Sequence, residues 1–147
     1  MSNIKRVLSM LLLLVVVPAT VILSYTLFDN NRYDISSLVI AVVSTLAVVL
    51  RFEKSKSNGK LIAVIAVMTA LSVAGRFIFS PLPFFKPVTS IVVITALYFG
   101  SECGFITGAF SALLSNFYFG QGPWTPFQMM VWGLIGLLSG LLAKYIV

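Results

Sequence analysis

Apolar residues in this chain come in long uninterrupted runs, not in the stripes of a helix with one wet face. The first run is VLSMLLLLVVVPATVILSYTLF at 7–28, and the second is ISSLVIAVVSTLAVVL at 35–50. LIAVIAVMTALSVAGRFIF follows at 61–79, and MMVWGLIGLLSGLLAKYIV closes the chain at 129–147. Runs near or above ~18 apolar residues argue for helices that cross a bilayer. The stretch 88–119 is too long for one crossing and is expected to break around Glu102, between Gly100 and Gly104, into two short helices. Short polar or irregular segments separate the runs: DNNRYD, RFEKSKSNGK, the proline loop SPLPFFKP and the loop GQGPWTPFQ. The start resembles a signal peptide, but the apolar run is too long and no small-residue cleavage site follows. It is read as a retained helix with Pro18 as a tolerated kink. The pattern predicts an all-α, polytopic helical membrane protein with about six transmembrane helices.

Composition sharpens this. Of 147 residues, 59% are hydrophobic and only 10% charged, and the mean hydropathy is +1.06. The chain has no His, one Cys (Cys103) and four acids: Asp29, Asp34, Glu53 and Glu102. An internal disulfide framework and a Cys/His metal site are therefore excluded. A net charge of +6 would raise nucleic acid as a partner in a soluble chain, whereas here it asks which side of the membrane holds the cations. Lys5, Arg6, Arg51, Lys54, Lys56, Lys60 and Lys144 collect on one side, and Arg32, Arg76 and Lys86 on the other. The positive-inside bias then puts the N-terminus in the cytoplasm of a multi-pass cell-membrane protein. Glu102 and Cys103 fall in a cytoplasmic turn, and the loops 80–87 and 120–128 share the outer face. The chain divides at a basic cytoplasmic loop into 1–59, with two helices, and 60–147, with four.

Several residues break the apolar pattern in ways that suggest chemistry. Ala66, Ala70 and Ala74 recur every four positions on the third span, a ridge suited to close helix approach within the chain or to docking of a partner subunit. Gly100/Gly104/Gly108 and Gly133/Gly136/Gly140 form similar ridges, assigned to internal packing. Arg76 lies near the outer end of its span, and Lys86 lies in the proline loop. They are candidates for an anionic or polar ligand, although Arg76 could equally snorkel to the interface. In GQGPWTPFQ, the glycines and prolines make turns and Thr125 is expected to cap the last helix, leaving Gln121 and Gln128 unexplained. Trp132, four residues after Gln128, shares its helix face, and Asn116 approaches the same level. With Trp124, these amides and indoles suit a ligand with a flat apolar body and hydrogen-bonding edges. No phosphate loop, catalytic acid–base pair or cofactor motif occurs, so the chain is read as non-enzymatic and without cofactor.

The run AVIAVMTALSVAGRFIF, the segment PLPFFKP and above all SNF with GQGPWTPFQM resemble the substrate-binding (S) component of energy-coupling factor (ECF) vitamin transporters. The resemblance covers about residues 60–143. It implies a helical membrane protein that captures a vitamin or similar micronutrient at its outer face. It further implies a membrane coupling subunit and two ATPases as partners, within which the protein topples to release cargo. Ala66, Ala70 and Ala74 match the alanine pattern that docks the coupling subunit in this family. The two outer loops correspond to family pocket loops, which implies that Arg76, Lys86, Asn116, Gln121, Trp124, Gln128 and Trp132 line or cover the site. The amides and tryptophans favour a flat, nitrogen-rich vitamin such as cobalamin. The family core has six helices where 60–147 supplies four, so the sequence is either the N-terminal part of a longer protein or a reduced version. Two other readings stay open: a structural or assembly protein without ligand, and a stand-alone channel or secondary transporter.

Overall fold

The computed structural model describes residues 2–28, 32–52 and 58–146. Among these residues the fold is six helical rods and no strand. The basic loop residues Lys54 and Lys56 with Glu53, and Asp29 of the first turn, lie outside the described residues. The first rod joins α1 (Ser2–Leu11) and α2 (Val17–Phe28) through a π-helical turn at Leu12–Val16. Its cause is Pro18, which lacks an N–H and clashes with the carbonyl four residues back. Bonding from i to i+5 lets that carbonyl find a donor one residue further on. The expected kink is thus a change of helical pitch inside a continuous rod.

The remaining rods are α3 (Tyr33–Phe52), α4 (Asn58–Ile78), α5 (Val88–Phe99), α6 (Ser101–Phe119) and α7 (Trp124–Ile146). Among the described residues, three stretches are long and apolar enough to cross a membrane: Asn3–Leu27, Gly59–Ile78 and Trp124–Ala143. α5, with 12 residues, reaches about 18 Å at 1.5 Å per residue, short of a full crossing. The break before α6 is tighter than the sequence suggested. Gly100 alone leaves the helical region, at φ 107 and ψ 163, where a side chain is disfavoured. Gly104 is already helical, its N–H bonded to the Gly100 carbonyl at 3.0 Å. Glu102 and Cys103 accordingly occupy the first turn of α6, not an exposed turn. Glu102 is 3% exposed, and its carboxylate accepts hydrogen bonds from Ser101 Oγ at 2.8 Å and Ser9 Oγ at 3.3 Å. The chain saw an interfacial acid in sequence and built a buried one in structure, because α1 packs over it.

α6 is the central helix, its first nine residues all buried, and α7 lies against it along a glycine seam. A Cβ on Gly136 would meet the Gly104 carbonyl carbon at 2.3 Å, and one on Gly108 the Trp132 carbonyl oxygen at 2.4 Å. On Gly140 it would meet Ser101 Cα at 2.4 Å. Glycine is required at these contacts because main chain touches main chain. Both glycine ridges are therefore spent inside the chain, with Gly100 serving as the break instead. Ala66, Ala70 and Ala74 are exposed, so among the described residues that ridge is left uncovered.

Candidate functional site

Successive rods alternate direction, and one end of the bundle gathers the C-termini of α4 and α6, the N-termini of α3 and α7, and both irregular loops. The proline loop folds back onto α4: Phe79 and Phe85 meet edge-on at 4.9 Å, and a Cβ on Gly75 would strike Pro87 at 2.6 Å. Within the loop Phe84 holds a positive φ of 65 and is fully exposed. Such a conformation is strained for a non-glycine residue.

A buried polar network occupies this end. Arg76, 7% exposed, donates through Nη1 to Ser115 Oγ and to Asn116 Oδ1, the latter at 2.9 Å. Its guanidinium lies 4.8 Å from the Phe119 ring centre and 5.2 Å from that of Trp132, within range of cation–π attraction. No carboxylate among the described residues pairs with it, and its partners there are dipoles and ring faces. α6 and α7 enclose the Arg76 side chain near the helix end.

Asn116, 1% exposed, uses both amide hydrogens and its carbonyl oxygen within the network. Its Oδ1 accepts from Arg76, and its Nδ2 donates to Thr125 Oγ1 at 3.1 Å and to Gln128 Oε1 at 2.7 Å. Thr125 does not cap α7 from outside; it sits in the first turn, fully buried. Its hydroxyl accepts from Asn116 and from the Gly122 N–H at 3.3 Å, and donates to Gln121 Oε1 at 2.8 Å. Gln121 completes the chain by donating to the Leu113 carbonyl at 3.0 Å. The structure thus joins Arg76, Asn116, Gln121, Gln128 and Trp132 in one cluster. Trp124 stands at its edge, 51% exposed, with Nε1 donating to the Gly120 carbonyl at 3.3 Å and the indole laid over Gly122. Lys86 is exposed on the proline loop and bonds to none of these residues.

Sequence reasoning missed Ser115 and the hub role of Thr125. It also missed a crevice of about 380 Å³ between α3 and α6, which meets the network at Gln121 and is lined by Tyr33, Asp34, Ser37, Leu38, Leu113 and Phe117. Its lining residues are far apart in sequence, on α3, α6 and the loop before α7, so no single stretch marks it. No group of metal ligands occurs among the described residues. Chemically, the arrangement offers amide and guanidinium hydrogen bonds beside aromatic faces.

The family model described as the ECF-type riboflavin transporter S component matches residues 56–147, which includes α4 to α7 and every member of the cluster. No curated protein and no solved structure gives a match.

Proposed function

Because this chain belongs to the S-component family of ECF-type riboflavin transporters, we propose that it captures a flavin-type vitamin at the outer face of the cell membrane. As a family member it is a membrane transport subunit and not an enzyme. The N-terminus lies in the cytoplasm, and the end of the bundle bearing the two irregular loops faces outward. The observation that carries the reading is the convergence of Arg76, Asn116, Gln128 and Trp132 from three helices onto one buried cluster. Guanidinium and amide groups suit the carbonyl and nitrogen edge of a flat ring, and Trp132 and Phe119 suit its faces. Gln121 and Trp124 form the cover, with Lys86 on the neighbouring loop. The crevice of about 380 Å³ beside Gln121 falls within the ~300–1,000 Å³ usual for small-molecule sites. Riboflavin, named by the family description, takes precedence over cobalamin as the first substrate to test. The bound vitamin is passed to a membrane coupling subunit driven by two ATPases, which docks on the exposed Ala66, Ala70 and Ala74.

Flavin fluorescence tests this directly. Purified protein in mild detergent should quench riboflavin saturably at one site per chain. Trp124→Ala and Gln128→Ala should each abolish quenching while the protein still inserts in the membrane. Unchanged quenching in both variants would remove these residues from the site, and no quenching by the unaltered protein would remove the flavin.

A further inference from the structure

Serine and threonine inside helices commonly bond back to the carbonyl one turn earlier. Thr20, Ser37, Ser44, Thr45 and Thr95 all do so here. Five buried hydroxyls do not; one, Ser24, stands apart on α2, and the other four lie on α4 and α6. Thr69 and Ser72 on α4, with Thr107 and Ser111 on α6, are at most 5% exposed, and none has a hydrogen-bond partner. Their positions are related. α4 and α6 run in the same direction, and the Arg76–Ser115 pair fixes an offset of 39 residues between them. That offset sets Ser111 level with Ser72 and Thr107 within one residue of Thr69. Spacings of three and four residues keep each set on the helix face that carries Arg76 or Ser115. Two rungs of hydroxyls therefore descend from the polar network along the seam between the two helices.

A buried hydroxyl without a partner is destabilising, and each one calls for an explanation. Four on one seam, leading away from a site built to hold a ring, have a common one. We infer that the α4–α6 seam is the subsite for a hydroxyl-bearing chain on the ligand. Thr69, Ser72, Thr107 and Ser111 exchange hydrogen bonds with that chain while the ring lies at Arg76 and Trp132. This rests on the capture of a flavin-type vitamin proposed above, and adds the part of the ligand that the cluster itself does not address. Each hydroxyl can both donate and accept, as can each hydroxyl of a polyol. The rungs are about 5 Å apart, one turn of helix, so a chain of a few carbons touches both. Admitting it requires α4 to move slightly away from α6. The alanine face of α4 is turned away from this seam and is exposed, so no helix among the described residues covers it.

Riboflavin and lumiflavin share one ring system, but lumiflavin carries a methyl group where riboflavin carries its hydroxylated chain. The full-length protein in detergent is titrated with both by fluorescence quenching. Riboflavin is expected to bind about tenfold tighter or more, as for sites built to bond a substrate hydroxyl. In the Ser72→Ala/Ser111→Ala double variant, riboflavin affinity should fall toward that of lumiflavin, with lumiflavin unaffected. Thr107→Val, on the other rung, should shift the preference in the same direction. The melting temperature of the unliganded double variant should be unchanged or raised, since the deleted groups bond to nothing. Equal affinities for the two flavins in the unaltered protein, or a double variant that weakens both alike, would overturn the subsite and leave flavin capture standing. Binding of neither flavin would overturn both.

Discussion

Arg76 is a buried guanidinium with no carboxylate partner among the described residues, and its planar fork is what makes that tolerable. One nitrogen serves two acceptors on α6 while the plane lies beside two aromatic faces. Lysine keeps the charge but not the plane. Arg76→Lys should therefore leave a folded protein with riboflavin affinity lowered about tenfold to a hundredfold, the equivalent of one charged hydrogen bond at about 1.5–3 kcal/mol. Titration beside a thermal melt checks this, and wild-type affinity in the variant would show that the guanidinium is scaffold alone. At this scale the sequence was legible where a residue was an outlier. An arginine or amide in an apolar run announces itself, and the four-residue spacing of Gln128 and Trp132 put them on one face. Hydroxyls were not legible. Thr125 as cap, Thr125 as hub, and Ser115 as acceptor look identical until the partner helix is in place. Glu102 was misjudged for a related reason, since its burial depends on Ser9, 93 residues away.

Helices α6 and α7 are paired by absence of side chains. At Gly136 even one methyl group would press on the Gly104 backbone at 2.3 Å, whereas Gly59, at the start of α4, has nothing within 4 Å. Gly136→Ala should cost about 1–3 kcal/mol, as overpacking does, and Gly59→Ala should be neutral. Thermal unfolding of the two variants separates close packing from a general intolerance of alanine; equal melting temperatures would contradict the seam. The small-residue spacing that builds this pair was visible in the sequence, as were the proline loop and the need to divide 88–119. The site of division was less clear, because Gly100 and Gly104 look alike in one dimension. Only the first adopts a positive φ, and the second is held helical by its contact with Gly136.

For the molecule as a whole, the long apolar runs fixed the class, and alternation of the rods brought the two irregular loops to one end, as expected from the order of segments. What the runs could not convey is that α3 leans on α6 closely enough to wall a crevice, since side-by-side order in a bundle is a three-dimensional property. Nor did they show which ridge is left open. The alanine ridge is the exposed one, so Ala70→Leu should prevent co-purification with the coupling subunit while riboflavin affinity stays intact. A variant that still co-purifies would assign the partner to another face. The Arg76 network also bears on how the protein is made. Ser115 and Asn116 are synthesised 39 and 40 residues after Arg76, so α4 meets the bilayer before its charge has acceptors. At the middle of a helix that exposure would cost ~2.5–3.5 kcal/mol on insertion scales. Near the helix end, the side chain can wait at the interface instead. It turns inward only when α6 and α7 arrive, which makes closure of the network a late step in biogenesis and leaves a nascent chain without α6 unable to bury Arg76.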